Sequence, residues 1–233
     1  MEQTNYGSTS KELLLGETLL FGLLGRALYN RPDKDWLDSL IEEEVFVEIP
    51  FGAEKVETKQ GQKLMQSWAQ KNAEGLSEEA FKELSADYTR LFVGVGKVLA
   101  PPWESVYFNE DRMIFQDQTL QVRNWYRRFG LELENIHKEP DDHIGLEMTF
   151  IAYLAELGGK VLEEKDDEKF MLLTDTKRQF LSEHLLVWGP TWCALVKEHA
   201  NTFFYQGLGN LTLGALLVIA EQYDIQIPDK IAK

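Results

Sequence analysis

Leu91-Phe92-Val93-Gly94-Val95-Gly96-Lys97-Val98-Leu99-Ala100-Pro101-Pro102-Trp103-Glu104-Ser105-Val106-Tyr107 fits neither regular period. Two glycines and a Pro-Pro pair break a helix, and the same prolines would break a strand ladder. Yet the stretch is rich in large apolar groups, which argues against disorder. A long connection of this kind is an ordered, partly buried loop, here placed near residues 93–116. The rest of the chain is then expected to be helices that hold it.

A chain of 233 residues suffices for one large domain, and 44% apolar residues allow a real core. The formal net charge of −15 disfavours nucleic-acid binding and favours cationic partners, although acidity alone also serves solubility. Cys193 is the only cysteine, so neither an internal disulfide nor a thiolate cluster is available. Met1 to Ser10 is polar and lacks a signal-peptide pattern. The apolar run Leu211 to Ala220 is shorter than the roughly 20 residues of a membrane span. These features predict a soluble, cytoplasmic chain without stable membrane insertion.

Helical spacing dominates. Thr9 and Glu12 read as a capping box opening a helix to about Asn30, stopped by Pro32. A second helix covers Lys34 to Glu44, followed by an extended connection, Val45 to Gly52. Thr58 to Ala73 is a third, and Ser77 caps a fourth, on which Phe81, Leu84, Tyr88, Leu91 and Phe92 share a face. Beyond the loop, Leu120 to Phe129 is helical. A helix capped by Asp141 or Asp142 runs to about Leu157, where Gly158-Gly159 stops it. Glu163 to Glu168 is a charged lead-in to Phe170–Leu181. Leu185 to His199 follows, with Pro190 able to kink its first turns, and Leu208 to Tyr223 is the last. No pair of alternating strands is present, so the expected fold is all-α: a single domain of about eight to ten helices, with a candidate hinge near 159–168.

Four constellations bear on chemistry. Glu139-Pro140-Asp141-Asp142-His143 gathers acids and a histidine at a helix start, which suits either a functional corner or ordinary capping. His137, His143, His184 and His199 form no helical metal-ligand pair, so no metal and no cofactor is expected. Gly94-Val95-Gly96-Lys97 matches a phosphate loop weakly, and turn geometry explains it better. Trp103, presented by Pro101 and Pro102 beside Glu104, is either a rigid platform for a peptide or a tryptophan buried under its loop.

Together two of these stretches resemble the TorD and DmsD type of redox-enzyme maturation chaperones. The first family signature is matched by Tyr88-Thr89-Arg90-Leu91-Phe92, the glycines Gly94 and Gly96, and Pro101-Pro102-Trp103-Glu104-Ser105-Val106-Tyr107. The second, Glu-Pro-x-Asp-His, is matched by Glu139, Pro140, Asp142 and His143. The resemblance covers about Phe81 to Gly158, and departs from the family at Val95, where a glycine-flanked proline is common. It implies an all-helical, non-enzymatic chaperone. Such proteins bind the twin-arginine signal peptide, and sometimes the body, of a molybdenum oxidoreductase precursor until its cofactor is inserted and it is exported. Some are domain-swapped dimers, so a monomer or such a dimer is implied. The peptide-binding residues expected on this basis are Tyr88, Leu91, Phe92, Pro102, Trp103, Glu104, Glu139, Pro140, Asp142 and His143. In the simplest arrangement the two signatures face one another, with the acids taking the arginines and the aromatics the apolar segment. The competing reading is a helical metal-dependent hydrolase or nucleotide-binding protein using Asp142 and His143.

Overall fold

The computed structural model describes residues 7–94, 97–133 and 139–231. Val95, Gly96 and His137, singled out above, lie outside these residues, as do Met1 to Tyr6. Among the described residues regular structure is helical, apart from one isolated antiparallel bridge between Trp103 and His143. The all-α expectation is met.

In chain order the helices are α1 Gly7–Tyr29, α2 Lys34–Glu42, α3 Val56–Lys71 and α4 Glu78–Tyr88, which runs into a π turn, Thr89–Val93. After the loop come α5 Ser105–Phe108, α6 Asp117–Arg128, α7 Ile144–Glu164 and α8 Asp167–Phe180. A second π turn, Leu181–Leu185, leads into α9 Leu186–His199, and α10 Phe203–Gln222 completes the bundle. Ser77 and Asp33 cap as their residue types predict, accepting from Ala80 N–H at 3.1 Å and Trp36 N–H at 3.0 Å.

Several boundaries differ from the sequence reading. Helix α1 starts at Gly7, so Thr9 lies within it rather than at its cap. Val45 to Gly52 is a series of turns, held to α3 by Gln62 and Gln66. Gly158-Gly159 does not stop α7, because Gly158 packs beside Leu14 and Phe170 and the helix gains more from that packing than two glycines cost. The stop comes at Lys165, with φ of 58°, and Asp166 then caps α8. The stretch 159–168 is helical apart from a two-residue turn at Lys165 and Asp166. Helix α10 starts five residues before Leu208, at a Thr202 cap. Gly207 and Gly214 lie within it, and each faces α3 too closely for a side chain, against Met65 and Thr58 respectively. All twenty residues of α10 form a stretch long and apolar enough for a membrane span, yet 72% of the relevant window is buried inside the protein.

The core is one contiguous cluster drawing on every long helix. Its largest fully buried side chains include Trp188 and Trp192 of α9 and Tyr205 and Phe204 of α10. Each such group contributes roughly 1.5–3 kcal/mol by leaving water. Around this centre α1 packs along α7, and α3 along α10.

Candidate functional site

The apolar loop begins where the π turn leaves α4. One extra residue per turn brings Leu91 and Phe92 into the core, where Phe92 stacks on Trp192 at 5.8 Å. The chain doubles back at Ala100, whose N–H donates to Leu91 O at 2.9 Å. Trp192 Nε1 donates to Ala100 O at 3.3 Å, fixing the loop from below. Pro101 and Pro102 then deliver an extended segment to the start of α7. There Glu104 N–H donates to Asp142 O at 2.9 Å and Ile144 N–H to Pro102 O at 2.8 Å. These two bonds flank the Trp103–His143 bridge. The two signature stretches are thus hydrogen-bonded directly to each other.

Side chains lock this junction. Asp142 accepts from Ser105 N–H and from the Thr119 hydroxyl, both at 2.7 Å, with one carboxylate oxygen each. Asp141 is paired with Arg123 of α6, at 2.7 Å to Nη2 and 3.0 Å to Nε. Glu104 meets Nδ1 of His184, on the second π turn, at 3.0 Å. The residue capping α7 is His143 rather than either aspartate, its Nδ1 accepting from Gly145 N–H at 3.1 Å. The expected Asp cap fails because both carboxylates are turned toward α5 and α6.

Burial decides what this arrangement can do. Asp142 is 0%, Glu104 and Asp141 1% and His143 4% exposed. Tyr88, Leu91, Phe92, Pro102 and Pro140 are buried as well. The acidic face expected of Glu104 and Asp142 is therefore internal and already bonded, and an arginine in solvent does not meet it. Burial pushes His143 down to about 3, so it is neutral at ordinary pH. Burial raises Glu104, against the opposing bond from His184, and raises the fully buried Glu147 far above the usual carboxylate range. Among the described residues Glu147 Oε1 has no partner, and Trp188 Nε1 approaches its other oxygen at 3.4 Å. Among the described residues no group of three or more His, Cys, Asp or Glu side chains is arranged to hold a metal ion.

Two of the ten expected residues reach the surface. Trp103 and Glu139 are half-buried, and Trp103 Nε1 donates to Glu139 Oε1 at 3.0 Å. Beside Trp103 a cavity of about 230 Å³ is walled by Lys97, Val98, Pro101, Val106, Arg112 and Ile114. Ile114 belongs to an exposed apolar lip, Met113-Ile114-Phe115, three consecutive exposed apolar residues. Asn109 staples this lip: its Nδ2 donates to Ser105 O at 2.6 Å, and its Oδ1 accepts from Met113 N–H at 2.8 Å. Arg112 and Phe115 take left-handed φ values of 54° and 60°, which side chains other than glycine adopt at a cost of roughly 1–2 kcal/mol. Sequence reasoning missed this lip, whose only signal was three apolar residues in a turn-rich segment. It also missed Thr119, Arg123 and His184, ordinary-looking helix residues whose roles come from long-range packing.

The nitrate reductase delta subunit family model matches residues 58–194, more than half of the chain. The chain belongs to this family. Both signatures and every junction residue named above fall inside the matched span. The Tat proofreading chaperone DmsD of Salmonella typhi, a relative, is 34% identical over 65% of this chain. The chain spans just under two thirds of that protein's length, 65%. The chaperone protein TorD of Aliivibrio salmonicida is 30% identical over 55% of this chain and 58% of its own. A proposed redox enzyme maturation protein from Archaeoglobus fulgidus, known as a solved structure, aligns over 84% of this chain and 91% of its own, at 19% identity and a TM-score of 0.47. By the family model and the DmsD and TorD relatives, this is the TorD/DmsD family that the two signatures resemble.

Proposed function

We propose that this protein is a cytoplasmic, non-enzymatic chaperone. In this reading it binds the twin-arginine signal peptide or the apo form of a molybdenum-containing oxidoreductase subunit, holding it until cofactor insertion and export. The observation that supports the reading is the fusion of the two signatures into one hydrogen-bonded junction, of whose ten expected binding residues Trp103 and Glu139 reach the surface, beside a stapled apolar lip. A preformed aromatic and apolar groove binds an extended apolar segment with little ordering cost. The chaperone names of the family relatives support the same reading. The alternative hydrolase reading is weakened because Asp142 and His143 are sealed and bonded.

Isothermal titration with a twin-arginine leader tests it. Wild-type protein is expected to bind, and Trp103→Ala or Ile114→Asp to weaken binding about tenfold or more with unchanged helicity, as loss of a central aromatic or apolar contact does. Absence of binding to a panel of such leaders would refute the reading.

A further inference from the structure

A twin-arginine leader presents two adjacent guanidinium groups before its apolar segment, and the junction leaves few carboxylates to receive them. Glu104, Asp141 and Asp142 are all bonded inside the protein. A second cleft supplies what the junction lacks. It lies between α2, the following turns and α3, and encloses about 480 Å³, within the size range of ligand pockets. Buried Leu40, Ile41 and Phe46, with half-buried Ala69, give it an apolar floor, while Glu42 and Glu44 line it as exposed carboxylates. Among the described residues no lysine or arginine lines it. Its wall is fixed, since Gln62 Nε2 donates to Val47 O at 2.8 Å and Gln66 Nε2 to Phe46 O at 3.1 Å.

We propose that this cleft is the arginine subsite of the leader. Glu42 and Glu44 receive the two guanidinium groups, and the apolar side chain that follows covers Leu40, Ile41 and Phe46. The charge complementarity is local: two free carboxylates, two residues apart, over an apolar floor, with no competing cation. Planar guanidinium groups bind carboxylates bidentately and lie flat on apolar surface, which an ammonium group does not do, so the cleft favours Arg-Arg over Lys-Lys. The inference rests on the leader-binding reading above.

The test is titration of an Arg-Arg leader and its Lys-Lys counterpart at low and high salt. The proteins are wild type, Glu42→Gln/Glu44→Gln, Ala73→Trp at the exposed cleft edge, and Glu139→Gln, with circular dichroism confirming each fold. The glutamine pair is expected to weaken Arg-Arg binding about tenfold at low salt, to flatten its salt dependence and to remove most of the Arg-over-Lys preference. Ala73→Trp is expected to weaken both leaders by narrowing the cleft. If wild type binds the leader while the glutamine pair keeps its affinity and preference, or if Glu139→Gln removes the preference instead, the subsite is refuted and leader binding stands. If wild type binds no leader, both fall.

Discussion

Asp142 satisfies a backbone N–H and a hydroxyl in a place water does not reach. Removing it strands both donors, so Asp142→Ala is expected to lower stability by roughly 3–5 kcal/mol, read as a shift in the urea midpoint. Any loss of leader binding in that variant, or in Asp142→Ala with His143→Ala, would then follow the loss of fold. His143 next to it sets a pH dependence. Its folded value of about 3 lies below the ordinary 6.5 of the unfolded chain, so between those values the unfolded state holds the extra proton. Stability from this group is complete above about pH 6.5 and is lost as pH falls, amounting to about 2 kcal/mol at pH 5. His143→Asn keeps a capping acceptor but cannot titrate, and should flatten the change in urea stability between pH 7 and pH 5. Glu147 works in the opposite sense. Its folded value is raised by burial, so its contribution is complete at low pH and fades as pH rises above the ordinary carboxylate value, and Glu147→Gln should lose less stability than wild type between pH 5 and pH 7.

At the scale of elements, the two π turns do what a straight helix would not. The first turns Leu91 and Phe92 into the core before the chain leaves α4, and the second brings His184 to Glu104 while α8 and α9 continue on either side. Deleting exposed Ser182 would restore an α register and rotate α9 by about 100° relative to α8. The expected result is preserved helicity with a loss of several kcal/mol, because Glu104 loses its partner and Trp188 and Trp192 lose their sites. A midpoint within experimental error of wild type would show that the π turn is incidental. The elements themselves were largely legible, since apolar side chains at 3.6-residue spacing placed every long helix. The π turns, the run of α7 through Gly158 and the early start of α10 were not legible. Each depends on what a distant helix presents: Leu14 and Phe170 to Gly158, Met65 to Gly207, Glu104 to His184.

For the whole molecule, the single core and the buried Lys177–Glu17 pair joining α8 to α1 lead us to propose one cooperative unit. Heat or urea should unfold it in a single transition by both near- and far-ultraviolet circular dichroism. A chain beginning at residue 58, where the family match starts, should fail to do so, since it lacks the partner of α7. The candidate site was legible in part. Sequence motifs identified the two stretches that meet, because motif residues report a shared constraint. They did not reveal that the meeting is internal, because exposure is a property of everything packed around it. The contact of α1 with α7 has a further consequence. At Gly25 a methyl group would lie 2.9 Å from Gly145 O, and at Gly145 one would lie 2.8 Å from Gly25 O, so the two backbones touch there. Over evolutionary time α1 is free to exchange most of its outer residues, and it lies beyond the span by which the family is recognised. Positions 25 and 145 are not free in this way. Among diverged relatives they should stay small together, and that pairing would trace the first helix where overall similarity has faded.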